Sequence, residues 1–117
     1  MARSKQTIKK EAVKNMKELG IYKPQFETII NNFSGMQHQY EVFEEMFAES
    51  DYQITEAYTN KAGATNDRKV PIYTAMESLR KDIATYSDRL GLNPKALESI
   101  KVEKSGESKL ESILKNL

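Results

Sequence analysis

Two apolar seams of identical spacing constrain this chain more than any other feature. Ile29, Phe33, Met36, Tyr40, Phe43 and Phe47 follow one another at steps of 4, 3, 4, 3 and 4, and Ile72, Met76, Leu79, Ile83, Tyr86 and Leu90 repeat those steps. Steps of three and four lay side chains along one stripe of an α-helix, so each run predicts a helix with a single apolar face. At the α-helical rise both seams are roughly 27 Å long, which fits two helices folded back on each other. The central expectation is therefore a long antiparallel helical hairpin over residues 24–90, within a mainly α fold. Phe26, Ile30, Val42 and Met46 widen the first stripe beyond what one partner helix covers. Ser34-Gly35 interrupts that stripe, and an interior glycine costs about 1 kcal/mol relative to alanine. The apolar phase nevertheless continues across Gly35, so one helix, straight or bent, is expected.

Between the seams lies Tyr58-Thr59-Asn60-Lys61-Ala62-Gly63-Ala64-Thr65-Asn66. Asn60, Gly63 and Asn66 tolerate left-handed backbone angles or cap turns, so the chain should reverse direction here. Tyr52, Ile54 and Tyr58, with Thr55 and Thr59, favour a short strand or an extended segment, which allows a small β-hairpin at the central loop. A two-stranded ribbon is marginal in water, and packing of neighbouring subunits' hairpins would steady it.

The flanks are simpler. A first helix is predicted over 4–19, with Ile8, Ala12, Met16 and Leu19 on one face and Gly20 as its stop. Pro24 suits the first turn of the second helix and Pro71 that of the third, which ends at Gly91. Asn93-Pro94 opens a short helix over 94–101 that carries Leu97 and Ile100, completing a single helical domain over 1–101. Residues 102–117 form a linker and a tail, where Leu110, Ile113, Leu114 and Leu117 make one apolar stripe on a final short helix. That stripe can dock on its own domain, pair with a second copy, or enter a partner's groove.

The net charge of +1 conceals strong segregation. Residues 1–23 carry seven basic side chains (Arg3, Lys5, Lys9, Lys10, Lys14, Lys17, Lys23) against two acidic ones, while residues 24–60 carry seven acidic side chains and neither lysine nor arginine. Residues 61–104 hold nine basic against six acidic. Such asymmetry points to a basic end for a polyanion and an acidic arm for another partner; the alternative is that the blocks pair with each other, within the fold or between subunits. On the first helix, Lys5, Lys9, Lys10, Lys14 and Lys17 lie mainly opposite the apolar face. They can meet DNA phosphates or simply form a solvated face.

No catalytic chemistry is legible. His38 is the sole histidine and cysteine is absent, which removes disulfides and thiolate metal sites. Glu41, Glu44, Glu45 and Glu49 read as a solvated acidic face, and no metal or cofactor is expected. Lys61-Ala62-Gly63-Ala64-Thr65 lacks the glycine and lysine spacing of a phosphate loop. There is no apolar run of membrane-spanning length, and the first residues lack a signal-peptide core. These features predict a soluble, non-enzymatic protein of a reducing cytosol.

The central nonapeptide, followed by Pro71 and then by Leu90-Gly91-Leu92-Asn93-Pro94, resembles the small subunit of tailed-phage terminases. One branch of that family carries a Thr-Asn-Lys-(Gly/Ala)-Gly-Ala-Thr-Asn loop, then proline, then a helix ending in Leu-Gly-Leu-X-Pro. The likeness runs from about Leu19 to about Ala96. It implies a non-catalytic homo-oligomeric ring in the host cytoplasm that recognises viral double-stranded DNA, recruits the large terminase subunit and regulates its ATPase and nuclease. Under it, Arg3, Lys5, Lys9, Lys10, Lys14 and Lys17 are the first candidates for DNA contact, with Lys61, Arg68 and Lys69 second. The two seams become oligomer surfaces, with the acidic second helix facing a neighbour's Lys69, Arg80, Lys81 or Arg89, and the tail stripe contacts the large subunit. Many small terminases carry an N-terminal helix-turn-helix, for which little room exists here, so a phosphate-dominated mode of binding is expected. A helical coiled-coil adaptor or scaffold that binds only protein fits the composition equally well.

Overall fold

The computed structural model describes residues 1–93 and the single position 98. Apart from position 98, the expected helix over 94–101 lies outside the described residues, as does the stripe Leu110, Ile113, Leu114 and Leu117. Helix α1 (Lys5–Glu18) is followed by one 3₁₀ turn (Pro24–Phe26), helix α2 (Glu27–Glu49), strands β1 (Thr55–Thr59) and β2 (Thr65–Lys69), and helix α3 (Pro71–Leu90).

Helices α2 and α3 run antiparallel. Ile30 and Leu90 share the core at the open end of the hairpin, Arg80 Nε donates to Tyr40 Oη at 2.8 Å in the middle, and the Phe47 and Tyr73 rings meet at 5.7 Å near the closed end. Position numbers thus rise along one helix as they fall along the other. Helix α2 passes Gly35 without interruption.

The core sits where α1 crosses the open end. Ala12, Met16, Ile21, Ile30 and Leu90 form one buried cluster, with Val13, Tyr22, Phe26, Ile29, Phe33 and Leu92 packed around it. Met16 and Ile30 are fully shielded, each worth about 1.5–3 kcal/mol of transfer free energy. Buried Ser34 gives its hydroxyl proton to the Ile30 carbonyl at 2.7 Å, which removes the cost of a polar group inside. A Cβ on Gly35 would lie 3.6 Å from Lys5 Cε, an ordinary contact with the stem of a side chain from α1 that lies over α2 here.

All three helices stop in the same way. Ile21 N–H donates to the Met16 carbonyl and Gly20 N–H to that of Lys17; Leu92 pairs likewise with Ser87 and Gly91 with Asp88. At the end of α2 the same two bonds run from Tyr52 to Phe47 and from Asp51 to Ala48, each at 3.0 Å. This is the Schellman arrangement, which needs a left-handed residue just past the helix. Gly20 (φ 74°) and Gly91 (φ 68°) supply it without strain, whereas after α2 Asp51 (φ 59°) and Tyr52 (φ 58°) adopt it as non-glycine residues. The Tyr52 ring stands edge-on to Phe47 at 5.5 Å, the apolar contact that accompanies this motif.

Strands β1 and β2 pair in register from Thr55 with Lys69 to Thr59 with Thr65. Ala64 N–H donates to the Asn60 side chain at 3.0 Å and Gly63 takes φ 87°, which closes the turn. The ribbon is exposed along its whole length except for half-buried Glu56. Val70 N–H donates to the Ile54 carbonyl at 2.8 Å, extending the ladder to the first residue before α3.

Candidate nucleic-acid interface

Helix α1 is capped by Ser4, whose hydroxyl accepts from Thr7 N–H at 3.1 Å, and it turns Ile8, Ala12 and Met16 inward. Its outer face then carries Lys10, Lys14 and Lys17, at steps of four and three, all exposed. No carboxylate lies within ion-pair distance of these three among the described residues. Lys17 Nζ sits 5.1 Å from the centre of the Tyr22 ring, which fixes one end of the row. With Lys9, Gln6, Val13 and Glu18 they line a shallow groove of about 520 Å³.

The other first-choice cations are engaged elsewhere. Arg3 grips Glu41 with a fork, Nε to Oε1 at 3.0 Å and Nη2 to Oε2 at 2.9 Å, and its Nη1 also meets Glu11. His38 Nδ1 lies 2.6 Å from the Arg3 carbonyl, and with His38 as donor the segment before α1 is tied to α2 at two adjacent turns. The hydrogen bond with Arg3 holds the Glu41 carboxyl below its ordinary range, partly opposed by burial, and the same bond raises the guanidinium. Lys9 Nζ pairs with Glu27 Oε1 at 2.5 Å, and Lys5 lies against α2 at Gly35. Part of the basic block is therefore balanced by the acidic helix within the fold. Lys10, Lys14 and Lys17 are not.

The second-choice residues are dispersed over the ribbon. Lys61 stands at the turn, Arg68 lies over the Tyr58 ring at 4.1 Å and pairs with Glu56 at 2.8 Å, and Lys69 pairs with Glu77 at 3.0 Å. On α3, Arg80 is held between Tyr40 and Tyr73 and Arg89 covers Tyr86. Lys81 is exposed.

The seams are incompletely covered. Ile29, Phe33, Met36, Tyr40, Phe43 and Phe47 are all half-buried, as are Ile72, Leu79, Ile83 and Tyr86; only Met76 and Leu90 are fully inside. Beside the seam, Tyr40, Glu44, Phe47, Tyr52, Met76 and Arg80 line an open groove of about 500 Å³. Among the described residues, no group of three or more histidine or acidic side chains is placed to hold a metal ion, and no helix is long and apolar enough to cross a membrane.

The fold and this surface define a class: a helical hairpin tipped by a two-stranded ribbon, with a cationic helix laid across its open end. The family model described as phage terminase, small subunit, matches residues 7–107, and the chain belongs to that family. No curated protein and no solved structure matches the chain.

Proposed function

We propose that this protein is the non-catalytic DNA-recognition and regulatory subunit of a phage packaging terminase. It works in the host cytoplasm as a homo-oligomeric ring that gathers viral double-stranded DNA and delivers it to the large subunit, whose ATPase and nuclease it governs. Lys10, Lys14 and Lys17 make the first contacts with phosphate, Lys5 and Lys9 flank them, and Arg3 supports α1 from behind. The tail stripe Leu110, Ile113, Leu114 and Leu117 engages the large subunit.

The observation that carries the reading, beside family membership, is the half-open seam of α2. Six large apolar side chains stand half-exposed along one line, more than α3 covers, and neighbouring copies are the partners a family of this kind supplies. Light scattering of the purified protein at low and moderate salt tests it. A single species several times the mass of the 13.4 kDa chain, unchanged by salt, is the expected result. A monomer or dimer under all conditions would overturn the ring and leave the protein-binding adaptor in its place.

A further inference from the structure

The β1–β2 ribbon has two free edges whose chemistry is unequal. The ladder bonds at Asn60 with Ala64 and at Ile54 with Val70 fix which backbone groups point inward. Antiparallel pairs alternate, so residues 56 and 58 bond to 68 and 66, while the N–H and C=O groups of Thr55, Ala57 and Thr59 point out from one edge and those of Thr65, Asp67 and Lys69 from the other. Among the described residues only the Thr55 carbonyl has a partner there, the Gln53 amide at 3.2 Å. Strand β1 carries one charge, Glu56; strand β2 carries Asp67, Arg68 and Lys69, for a net charge of the opposite sign. Ile54, just before β1, is 45% exposed and Tyr58 within it 43%, apolar surface on an element exposed almost throughout.

We propose that the ribbon is an assembly element in which the outer edge of β1 in one copy pairs with the outer edge of β2 in the next. This rests on the homo-oligomeric reading above. When copies are related by rotation about one axis and their ribbons point the same way, β2 of one copy and β1 of the next run in opposite directions. Every junction is then antiparallel without any rearrangement. The junction also sets the acidic strand against the basic one, with Glu56 of one copy on the same face as Arg68 of its neighbour. Pairing β1 with β1 would instead bring like charges together. Closing the array removes every exposed edge, which explains how a ribbon that is marginal alone is kept from indiscriminate pairing. The occupant is a second copy of this chain in head-to-tail order, as distinct from a two-fold mate.

The absence of cysteine makes the test clean, because each variant carries a single thiol. Ala57→Cys protein is mixed with Thr65→Cys, Asp67→Cys or Lys69→Cys protein, dissociated, reassembled and oxidised, and each sample is also weighed by light scattering. A disulfide needs Cα atoms within about 7 Å, so linked dimers should appear in the mixture whose register matches and in no variant treated alone. An assembly of unchanged mass with no linked dimer in any of the three mixtures would overturn the ribbon junction while leaving the ring standing. Dimers from Ala57→Cys alone would overturn head-to-tail order, and a monomeric mass would overturn both readings at once.

Discussion

Replacing Lys10, Lys14 and Lys17 together by glutamine separates the cations that face solvent from those spent inside the fold. If each of the three displaces one condensed counterion, the slope of log affinity against log salt should become shallower by about 2.7 for every protomer bound, at roughly 0.9 per phosphate. Between about 50 and about 200 mM salt, wild-type affinity should then fall on the order of 40-fold further than that of the variant for each protomer engaged. The loss should be the same for any duplex sequence, since phosphate contacts carry no sequence information. Arg3→Gln is the internal control. Its charge is already matched by Glu41 and Glu11, so the salt slope should hold while thermal stability falls. Fluorescence anisotropy titrations with two unrelated duplexes across a salt series measure all of this. A triple variant whose slope equals the wild type's, or an Arg3→Gln variant that loses as much slope as the triple, would refute the assignment of roles on α1.

Asp51→Gly places glycine where the chain needs φ 59° just past α2 and should stabilise the protein by about 0.5–1 kcal/mol, read as a higher melting temperature; a loss of stability would mean that the aspartate side chain is needed there. Glu41→Gln removes one partner of the Arg3 fork and should cost about 1 kcal/mol at neutral pH. Because the folded state lowers the Glu41 pKa, its contribution is present above the ordinary value of 4.5 and is lost as pH falls through the lowered one, so the gap between wild type and variant should close below about pH 4.5 in denaturation curves; a constant gap would argue against it.

The hairpin was legible because both helices carry strict seams and because Gly20, Pro24, Pro71 and Gly91 punctuate them. The phase of burial was less so. Ile30 and Ser34 are the fully buried positions of α2, beside the seam residues Ile29 and Phe33, because α2 is packed by α1 as well as by α3 and its shielded line falls between the two neighbours. Ser34-Gly35 leaves α2 uninterrupted, as the unbroken apolar phase predicts, with the Ser34 hydroxyl turned back onto the Ile30 carbonyl. Strand β2 carries no apolar alternation at all, since Thr65–Lys69 is exposed on both faces, so only its pairing with β1 reveals it. The turn after α2 carries no glycine signal, because Asp51 stands where glycine usually does. At the candidate interface, six clustered cations were visible, yet nothing in local spacing shows that Arg3 meets Glu41, which lies 38 positions away. Sorting free from paired lysines required the tertiary fold.

Because α1 is laid on the N-terminal half of α2, the charge segregation of the sequence becomes a separation in space. Among the described residues, 4–40 and 83–93, toward the open end, hold seven basic and four acidic side chains, while residues 41–82, with Arg3 laid against Glu41, hold six basic and nine acidic. The described part of each protomer is thus an electric dipole of three charges at either pole, directed along the hairpin. Copies arranged side by side about an axis would add these vectors, giving an assembly with one positive rim and one negative rim. A long polyanion approaching such an assembly would meet attraction from one side and repulsion from the other, which would set the direction of approach before any contact formed.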